Sequence, residues 1–432
     1  MASSSIRGAG ERVKAAFVST NSITQGEQAG VLWGWLLAQG IRTHFAHRTF
    51  QWSNEAKGMA AVHCVIVGFG AFDVESKTIY EYEDIRGEAH AVAARNINPY
   101  LVDAPDVVLV NRQHPICAVP EIGIGNKPID GGHYLFTPEE KAEFLAREPK
   151  AAKWFRRWIG ADEFINNYER WCLWLGDCPP DELRKMPEAM KRVEAVREER
   201  LASKSAPTQK LAATPIRFHV ENIPDAPYLV VPEVSSERRR FIPIGFMQPD
   251  TLSSNLVKII PHATLYHFGI LTSTMHMAWV RYTCGRMKSD YRYSAGIVYN
   301  NFPWPASPSP QPSPVKGEGA APLSPRGRGA GGEGVVEAAA QAVLDARAQF
   351  MQPPPQLRPR REREQLGRPL RPADHAARAG QAHQALDRAV DACYRKAAFA
   401  SDAQRVEFMF ERYQQLTSLL PAVTAKKSRK KS

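Results

Sequence analysis

Apolar and polar positions along the chain sort first into a short α/β unit. Lys14-Ala15-Ala16-Phe17-Val18-Ser19-Thr20-Asn21-Ser22 is an apolar run that ends in small polar residues, which predicts a buried strand. Ser22 or Thr24 can then cap a helix over residues 25–39. Val31, Leu32, Trp35, Leu36 and Ala38 are expected to form its packed stripe, and Gly40 stops it. Two strands follow, at 43–52 and 60–69, joined by a turn through 53–58. The second, Ala61-Val62-His63-Cys64-Val65-Ile66-Val67-Gly68-Phe69, is apolar enough to be buried on both faces. Strand, helix, strand, strand is the last third of a doubly wound sheet, with ligand chemistry expected near Ser19–Asn21 at the carboxyl end of the first strand. No glycine-rich loop precedes it, so the pattern begins inside a domain and leaves an apolar sheet edge uncovered.

The middle of the chain mixes short strands and capped helices, an α+β pattern. Val107-Val108-Leu109-Val110 reads as a short strand, and Gly125–Phe136 as a turn-rich loop whose backbone N–H groups could hold phosphates. Thr137 followed by Pro138 marks a helix running to about Arg147. Residues 164–175 alternate as a strand, with Tyr168, Trp171 and Trp174 expected in the core. A charged helix spans 180–203 with a break at Met186-Pro187, and Tyr228-Leu229-Val230-Val231-Pro232 is a strand. Within 264–285 a helix starts near Ser273 or Thr274 and turns Met275, Ala278 and Trp279 inward. His267 and His276 lack companions at metal-ligand spacing and read as structural.

Residues 235–305 are where charge changes the picture. Ser235-Ser236-Glu237-Arg238-Arg239-Arg240 and Gly285-Arg286-Met287-Lys288-Ser289-Asp290-Tyr291-Arg292-Tyr293-Ser294 interleave cations with aromatic and hydroxyl residues. Such a surface can neutralise phosphates and read base edges, or simply be a solvated arginine-rich face. The net charge of +11 in 432 residues fits a polyanionic partner. The 44% hydrophobic and 23% charged content is that of a soluble globular protein. Six cysteines, none at CxxC spacing, argue against a zinc ribbon or a disulfide framework and fit a reducing cytoplasm. No apolar run approaches the ~18 residues of a membrane span, and the N-terminus lacks the apolar centre of a signal peptide.

Beyond residue 305 the composition shifts twice. Residues 306–334 are Pro/Gly/Ser-rich without periodicity and are not expected to fold. A helical pattern returns over 335–350, and an Arg- and Pro-rich run without an apolar face follows. That run reads either as a basic nucleic-acid arm or as a frame-shifted stretch. Two amphipathic helices are expected in 381–421, the second with Val406, Phe410, Tyr413, Leu416 and Leu420 on one side. Residues 422–432 form a basic tail that adds nonspecific phosphate affinity.

Several of these segments carry a resemblance. Phe17-Val18-Ser19-Thr20-Asn21-Ser22-Ile23 with Gln25-Gly26-Glu27-Gln28, Phe45-Ala46-His47-Arg48-Thr49-Phe50 and Trp52-Ser53-Asn54-Glu55-Ala56-Lys57-Gly58 resemble the MmeI-like (type IIL) DNA methyltransferases of restriction–modification systems. Those are class I, S-adenosylmethionine-dependent adenine-N6 enzymes. Residues 1–95 look like the C-terminal portion of their Rossmann-like catalytic domain. Residues 96–305 resemble their target recognition domain, including Gly125-Asn126-Lys127-Pro128 and the two arginine-rich stretches. The resemblance implies duplex-DNA contacts from Asn126, Lys127, Arg238, Arg239, Arg286, Lys288, Tyr291 and Arg292, with Glu237 and Asp290 orienting the arginines.

The departures are equally specific. The family's Phe-x-Gly-x-Gly donor loop and catalytic Asn-Pro-Pro-Tyr/Phe both precede this region, and the chain contains neither. Asn98-Pro99-Tyr100 and Asn301-Phe302-Pro303 are imperfect echoes, so no catalytic residue and no metal ligand is assigned. Where the family has a connection reading roughly Leu-Tyr-Asp-Pro-Leu-Thr-Met-Pro-Pro, this chain has the Arg/Pro-rich run. The expected function is that of a truncated adenine-N6 methyltransferase, inactive alone, retaining target recognition and not binding S-adenosylmethionine by itself. A separate chain carrying the missing catalytic half is one expected partner. The alternatives are a catalytically silent sequence-specific DNA-binding module and a non-functional gene remnant.

Overall fold

The computed structural model describes residues 12–52, 62–306, 332–351 and 372–418. Its first unit is a five-stranded sheet in the order β1-β3-β2-β4-β5. β1 (Lys14–Thr20) pairs antiparallel along its whole length with β3 (Val62–Gly70), and β3 pairs with β2 (Arg42–Trp52). β4 (Lys77–Tyr82) runs parallel to β2, and β5 (Ala89–Ala94) closes the far side. The sequence pattern gave no sign of β4 and β5; the alanine-rich β5 has little intrinsic strand preference, and pairing with β4 imposes it.

α1 (Gly26–Ala38) packs on this sheet through Ala29, Trp33 and Leu36; of the stripe expected from sequence, Leu36 is buried and Leu32 partly so, while Val31 and Trp35 turn outward. Val31 and Trp35 are 79% and 48% exposed. The helix is apolar on nearly every side, so periodicity could not choose its buried face. Val107–Val110 is extended but joins no sheet; Leu109 N donates to the Tyr100 hydroxyl at 2.9 Å instead.

The second unit holds three small sheets. One is ordered β12-β10-β14-β6, built from β12 (Gly245–Met247), β10 (Tyr228–Pro232), β14 (Val257–Pro261) and β6 (Gly123–Ile124). Another is ordered β13-β8-β9-β7, from β13 (Thr251–Ser253), β8 (Phe155–Ile159), β9 (Trp171–Leu173) and β7 (Leu135–Phe136). Residues Ala161–Asn166 are helical, so the long strand expected over 164–175 shortens to β9. Trp174 is buried, but Tyr168 is 56% exposed and Trp171 lies half-buried under the Lys141 ammonium, 3.0 Å from its ring centroid. α2 (Pro138–Arg147) begins on a full capping box: Thr137 accepts from Glu140 N, and Glu140 returns a bond to Thr137 N. The charged helix divides at Met186-Pro187 as expected, its longer part being α3 (Pro187–Ala202). Arg200 of α3 is not solvated: it is buried and donates to five backbone carbonyls, including those of Ile129, Pro128 and Arg217.

α4 (Leu265–Leu271) and α5 (Thr274–Thr283) follow, with Ser273 capping α5. α6 (Glu333–Met351), α7 (Pro372–Tyr394) and α8 (Asp402–Ser418) pack around them. Helix α7 starts nine residues before the expected boundary at 381, inside the stretch read as low-complexity. α8 lays Val406, Phe410 and Tyr413 against the recognition unit; Phe410 sits 5.2 Å from Trp279 and 5.1 Å from Tyr100, ring centre to ring centre. One continuous core therefore joins the first sheet, α4, α5 and the C-terminal helices. Residues 307–331 of the unperiodic stretch expected at 306–334, most of the Arg/Pro-rich run and the basic tail lie outside the described residues, and Glu333 and Gly334 already belong to α6.

Candidate nucleic-acid interface

The arginine-rich stretches come together as one small sheet. β11 (Val234–Ser235), β16 (Asp290–Arg292) and β15 (Gly285–Met287) pair antiparallel, with Ser235 opposite Tyr291 and Tyr291 opposite Arg286. The hairpin turns through Lys288, whose φ of +58° is unusual for a residue with a side chain. The turn lifts the Lys288 ammonium into solvent.

Cross-strand placement sets the site's chemistry. The Arg286 guanidinium lies 3.9 Å from the Tyr291 ring centroid, and its Nη1 donates to Ser289 O at 2.9 Å. Glu237 Oε2 is 4.0 Å away, the expected orienting role. Arg286 Nε is buried without a partner. Tyr291 is only 5% exposed, so it supports Arg286 from below and has no free face for a base. Asp290 accepts from Glu237 N at 3.2 Å and thus fixes the loop backbone, not an arginine.

Arg292 is exposed and pairs with Glu233 at 3.2 Å; Lys258 reaches the same carboxylate at 2.9 Å. Burial pushes the Glu233 carboxyl up, but the hydrogen bonds and charges of Lys258 and Arg292 outweigh it and hold the pKa below the ordinary value. Arg238, Arg239 and Lys288 are exposed and, among the described residues, make no ion pair. They are the cations with most freedom to meet a polyanion.

The loop at 125–127 contributes differently from expectation. Gly125 packs so closely that a Cβ would fall 2.2 Å from Ser254 O. Asn126 is fully buried; its Nδ2 donates to Ser253 O and Asn222 O, and its Oδ1 accepts from Asn222 N. The backbone N–H groups of Asn126 and Lys127 bond to Ser253 O and Val220 O. Neither the Asn126 amide nor these N–H groups can meet DNA, which corrects the sequence expectation. Only the Lys127 side chain remains outside.

Two clefts meet at Arg286. One, of about 630 Å³, is lined by Gln25, Glu27, Glu233, Lys258, Arg286 and Arg292. The other, of about 490 Å³, is lined by Asn21, Gln25, Arg48, Arg238, Arg281 and Arg286. Both therefore run between the carboxyl end of β1 and the arginine hairpin. Gly26, at φ +59°, touches Gly285 backbone to backbone; a Cβ on Gly26 would be 3.1 Å from Gly285 Cα. Sequence reasoning missed Gln25, Arg48 and Arg281. Gln25 is 8% exposed with its Oε1 unpartnered. Arg48 pairs with Glu81 and stacks over Tyr282, and Arg281 pairs with Asp402. Only the spacing of the folded elements brings them to the cleft, so no local pattern could have found them.

The two imperfect tetrapeptide echoes are structural. Asn98 Oδ1 accepts from Tyr100 N and Val102 N, closing a local turn. Asn301 Nδ2 donates to the carbonyls of Val110, Gly296 and Ile297. At the carboxyl end of β1 the polar atoms bond to each other: Thr20 to Ser22 at 2.8 Å, and Thr24 Oγ1 to Asn21 O at 2.9 Å.

Comparison with known proteins agrees with this arrangement. The MmeI DNA-methyltransferase domain model matches residues 2–81, the MmeI target recognition domain model residues 103–306, and the MmeI C-terminal domain model residues 370–421. DNA methyltransferase A of Bacillus subtilis (strain 168) is 37% identical over 404 residues, 94% of this chain and 42% of the relative. The solved structure of the type IIL restriction-modification enzyme MmeI in complex with DNA matches with a TM-score of 0.75 and 46% identity, over 94% of this chain and 50% of that one. The chain thus spans about half the length of the relatives it matches. With three domain models of one family matched in order along its length, the chain belongs to the MmeI family.

Proposed function

We propose that this chain supplies duplex-DNA target recognition to a site-specific adenine-N6 methyltransferase of a bacterial restriction–modification system. The observation that carries the reading is the meeting at Arg286: an arginine hairpin of the recognition unit faces the end of the methyltransferase sheet across two clefts. Arg238, Arg239 and Lys288, exposed around it, and Lys127, exposed on its own loop, are the cations that would neutralise phosphates, which gives affinity without sequence preference. Arg292 and Arg286 sit in or beside the clefts, where a guanidinium fork can read a base edge. The MmeI complex with DNA supports the same partner for this chain. S-adenosylmethionine would be held by the remainder of a methyltransferase domain, and a separate chain carrying that half is the partner we assign to it. No described helix is long and apolar enough to cross a membrane, in keeping with a cytoplasmic site of action.

Duplex binding by the purified chain across a salt series, with random-sequence competitor, tests the reading. Selective binding that persists at about 150 mM salt supports it. Loss of all binding at that salt, without selectivity below it, would leave only nonspecific basic segments and favour the gene-remnant alternative. Arg286→Ala should weaken duplex binding by about 1–3 kcal/mol if the residue reads a base. Selective binding with no methylation even when the missing half is supplied would favour a silent DNA-binding module.

A further inference from the structure

The smaller of the two clefts is walled by four arginines, Arg48, Arg238, Arg281 and Arg286, and by a single carboxylate among the described residues, Glu237. Arg48 and Arg281 reach it from opposite sides. Arg48 lies on β2 where the register with β3 shifts, between His47 and Phe50, and such an irregularity re-aims side chains. Its Nη1 pairs with Glu81, its Nε donates to Leu101 O at 2.9 Å, and its guanidinium stands 5.0 Å over the Tyr282 ring. Arg281 comes from the last turn of α5. Its Nη1 pairs with Asp402 of α8, and its Nη2 donates to Arg240 O at 3.5 Å.

Tyr282 stands between the two. Burial raises its pKa, and the charges of Arg48, Glu81, Asp402 and Arg281 all act on its hydroxyl. The phenol is therefore a neutral O–H at physiological pH, and among the described residues it donates to nothing. Arg48, Arg281 and Tyr282 line the cleft, whereas Glu81 and Asp402 stand outside its wall. The acids thus brace the arginines from behind. A guanidinium carries five N–H donors, and the contacts above leave donors over on each fork. Gln25 Oε1 and Arg286 Nε, buried in the same wall, also lack partners.

We propose that Arg48, Arg281 and Tyr282 form one anion subsite that grips a single backbone phosphate of duplex DNA, at the seam between the first sheet and the recognition unit, with Asp402 as the residue that positions Arg281. The inference rests on the duplex-DNA reading above. The donor set chooses the ligand. Two charged forks and a hydroxyl, converging from opposite walls, suit a group that only accepts hydrogen bonds and carries a full negative charge. A phosphodiester is such a group, and the edge of a base, being neutral, is not. The subsite also gives the C-terminal helices a part in binding. Arg405 joins Asp402 to Asp391 of α7, so α7 and α8 together fix the carboxylate that fixes Arg281.

A fluorescent duplex of mixed sequence is titrated with the full chain across a salt series. The slope of log affinity against log salt counts neutralised phosphates, at about 0.9 each. Arg48→Ala and Arg281→Ala combined should therefore lower the slope by about 0.9. A fall of about 1.8 would mean two separate phosphates and an unchanged slope none, and either result overturns the subsite. Tyr282→Phe keeps the ring under Arg48 and removes one neutral donor, so it should weaken binding about tenfold with the slope unchanged. Full affinity in that variant would also overturn the three-residue site. Asp402→Asn should weaken binding in the unaltered chain, add nothing on top of Arg281→Ala, and be relieved in Asp402→Glu. An equal loss in both backgrounds would make Asp402 structural, and tighter binding would make it a competitor of DNA; either overturns its positioning role. Thermal midpoints of all variants separate lost folding from lost contact. If the unaltered chain binds no duplex, the recognition reading itself fails; if it binds and the double variant keeps its slope, only the subsite does.

Discussion

Asp387 of α7 reaches across 113 residues to hold Thr274, the first residue of α5. Its Oδ1 accepts from Thr274 N and its Oδ2 from Thr274 Oγ1, both at 2.7 Å. Arg240 stands 3.7 Å from the same carboxylate. The C-terminal domain is thus tied to the helix that leads into the arginine hairpin. Asp387→Ala removes both bonds to Thr274, beside the Ser273 cap, and should lower unfolding stability by about 1–2 kcal/mol in a denaturant titration. Asp387→Asn, which keeps an acceptor, should lose less.

Buried histidines set the acid limit of stability. His276 is enclosed, its Nε2 3.0 Å from the Tyr293 hydroxyl and its Nδ1 without a partner. Burial pushes its pKa down to about 3 from 6.5. The folded state therefore holds the neutral ring while the unfolded chain takes up a proton below pH 6.5. This contribution is full above the unfolded pKa and declines as pH falls toward 3, by roughly 1.4 kcal/mol per unit. His267, pushed down to about 4, acts in the same direction. Denaturation midpoints measured from pH 7 to 4 should fall steadily, and His276→Phe should flatten the slope.

For DNA, the free cations should act through salt. Arg238→Ala and Arg239→Ala should weaken binding to all duplexes about equally. Each should reduce the slope of log affinity against log salt by about 0.9 if it meets a phosphate. An unchanged slope would remove that residue from the interface.

Asn126 separates stability from recognition. Asn126→Ala would remove the side-chain partner of Asn222 N and Asn222 O and should cost about 1–3 kcal/mol of stability. The affinity of the remaining folded protein for DNA should not move. A specific loss of DNA binding at full stability would restore the role expected from sequence.

What was legible in the sequence was local. The capping box at Thr137, the break at Met186-Pro187 and the Ser273 cap each depend on residues within a few positions, and each stands where the sequence placed it. What could not be read depended on distant partners. Asn126 was assigned to DNA on the resemblance of Gly125-Asn126-Lys127-Pro128, yet Asn222 and Ser253, far along the chain, close around its amide. The arginine stretches were legible as charge, but Tyr291 turned inward beneath Arg286 because strand pairing, not composition, decides which side faces out. Trp35 and Val31 were assigned to the core of an all-apolar helix, and the sheet took Trp33 instead.

The glycine pair that joins the two units deserves a mechanical consequence. Gly26 and Gly285 meet with no side chain between them, and Gly26 holds a positive φ that alanine resists. Gly26→Ala should lower the thermal midpoint and reduce duplex selectivity together. Because the contact is main chain against main chain, the angle between sheet and hairpin has no compressible layer to absorb change. Under the proposed reading, the number of base pairs from the methylated adenine to the bases recognised is then a fixed ruler. Exchanging the reading residues would change which letters are accepted, but not how far they lie from the mark.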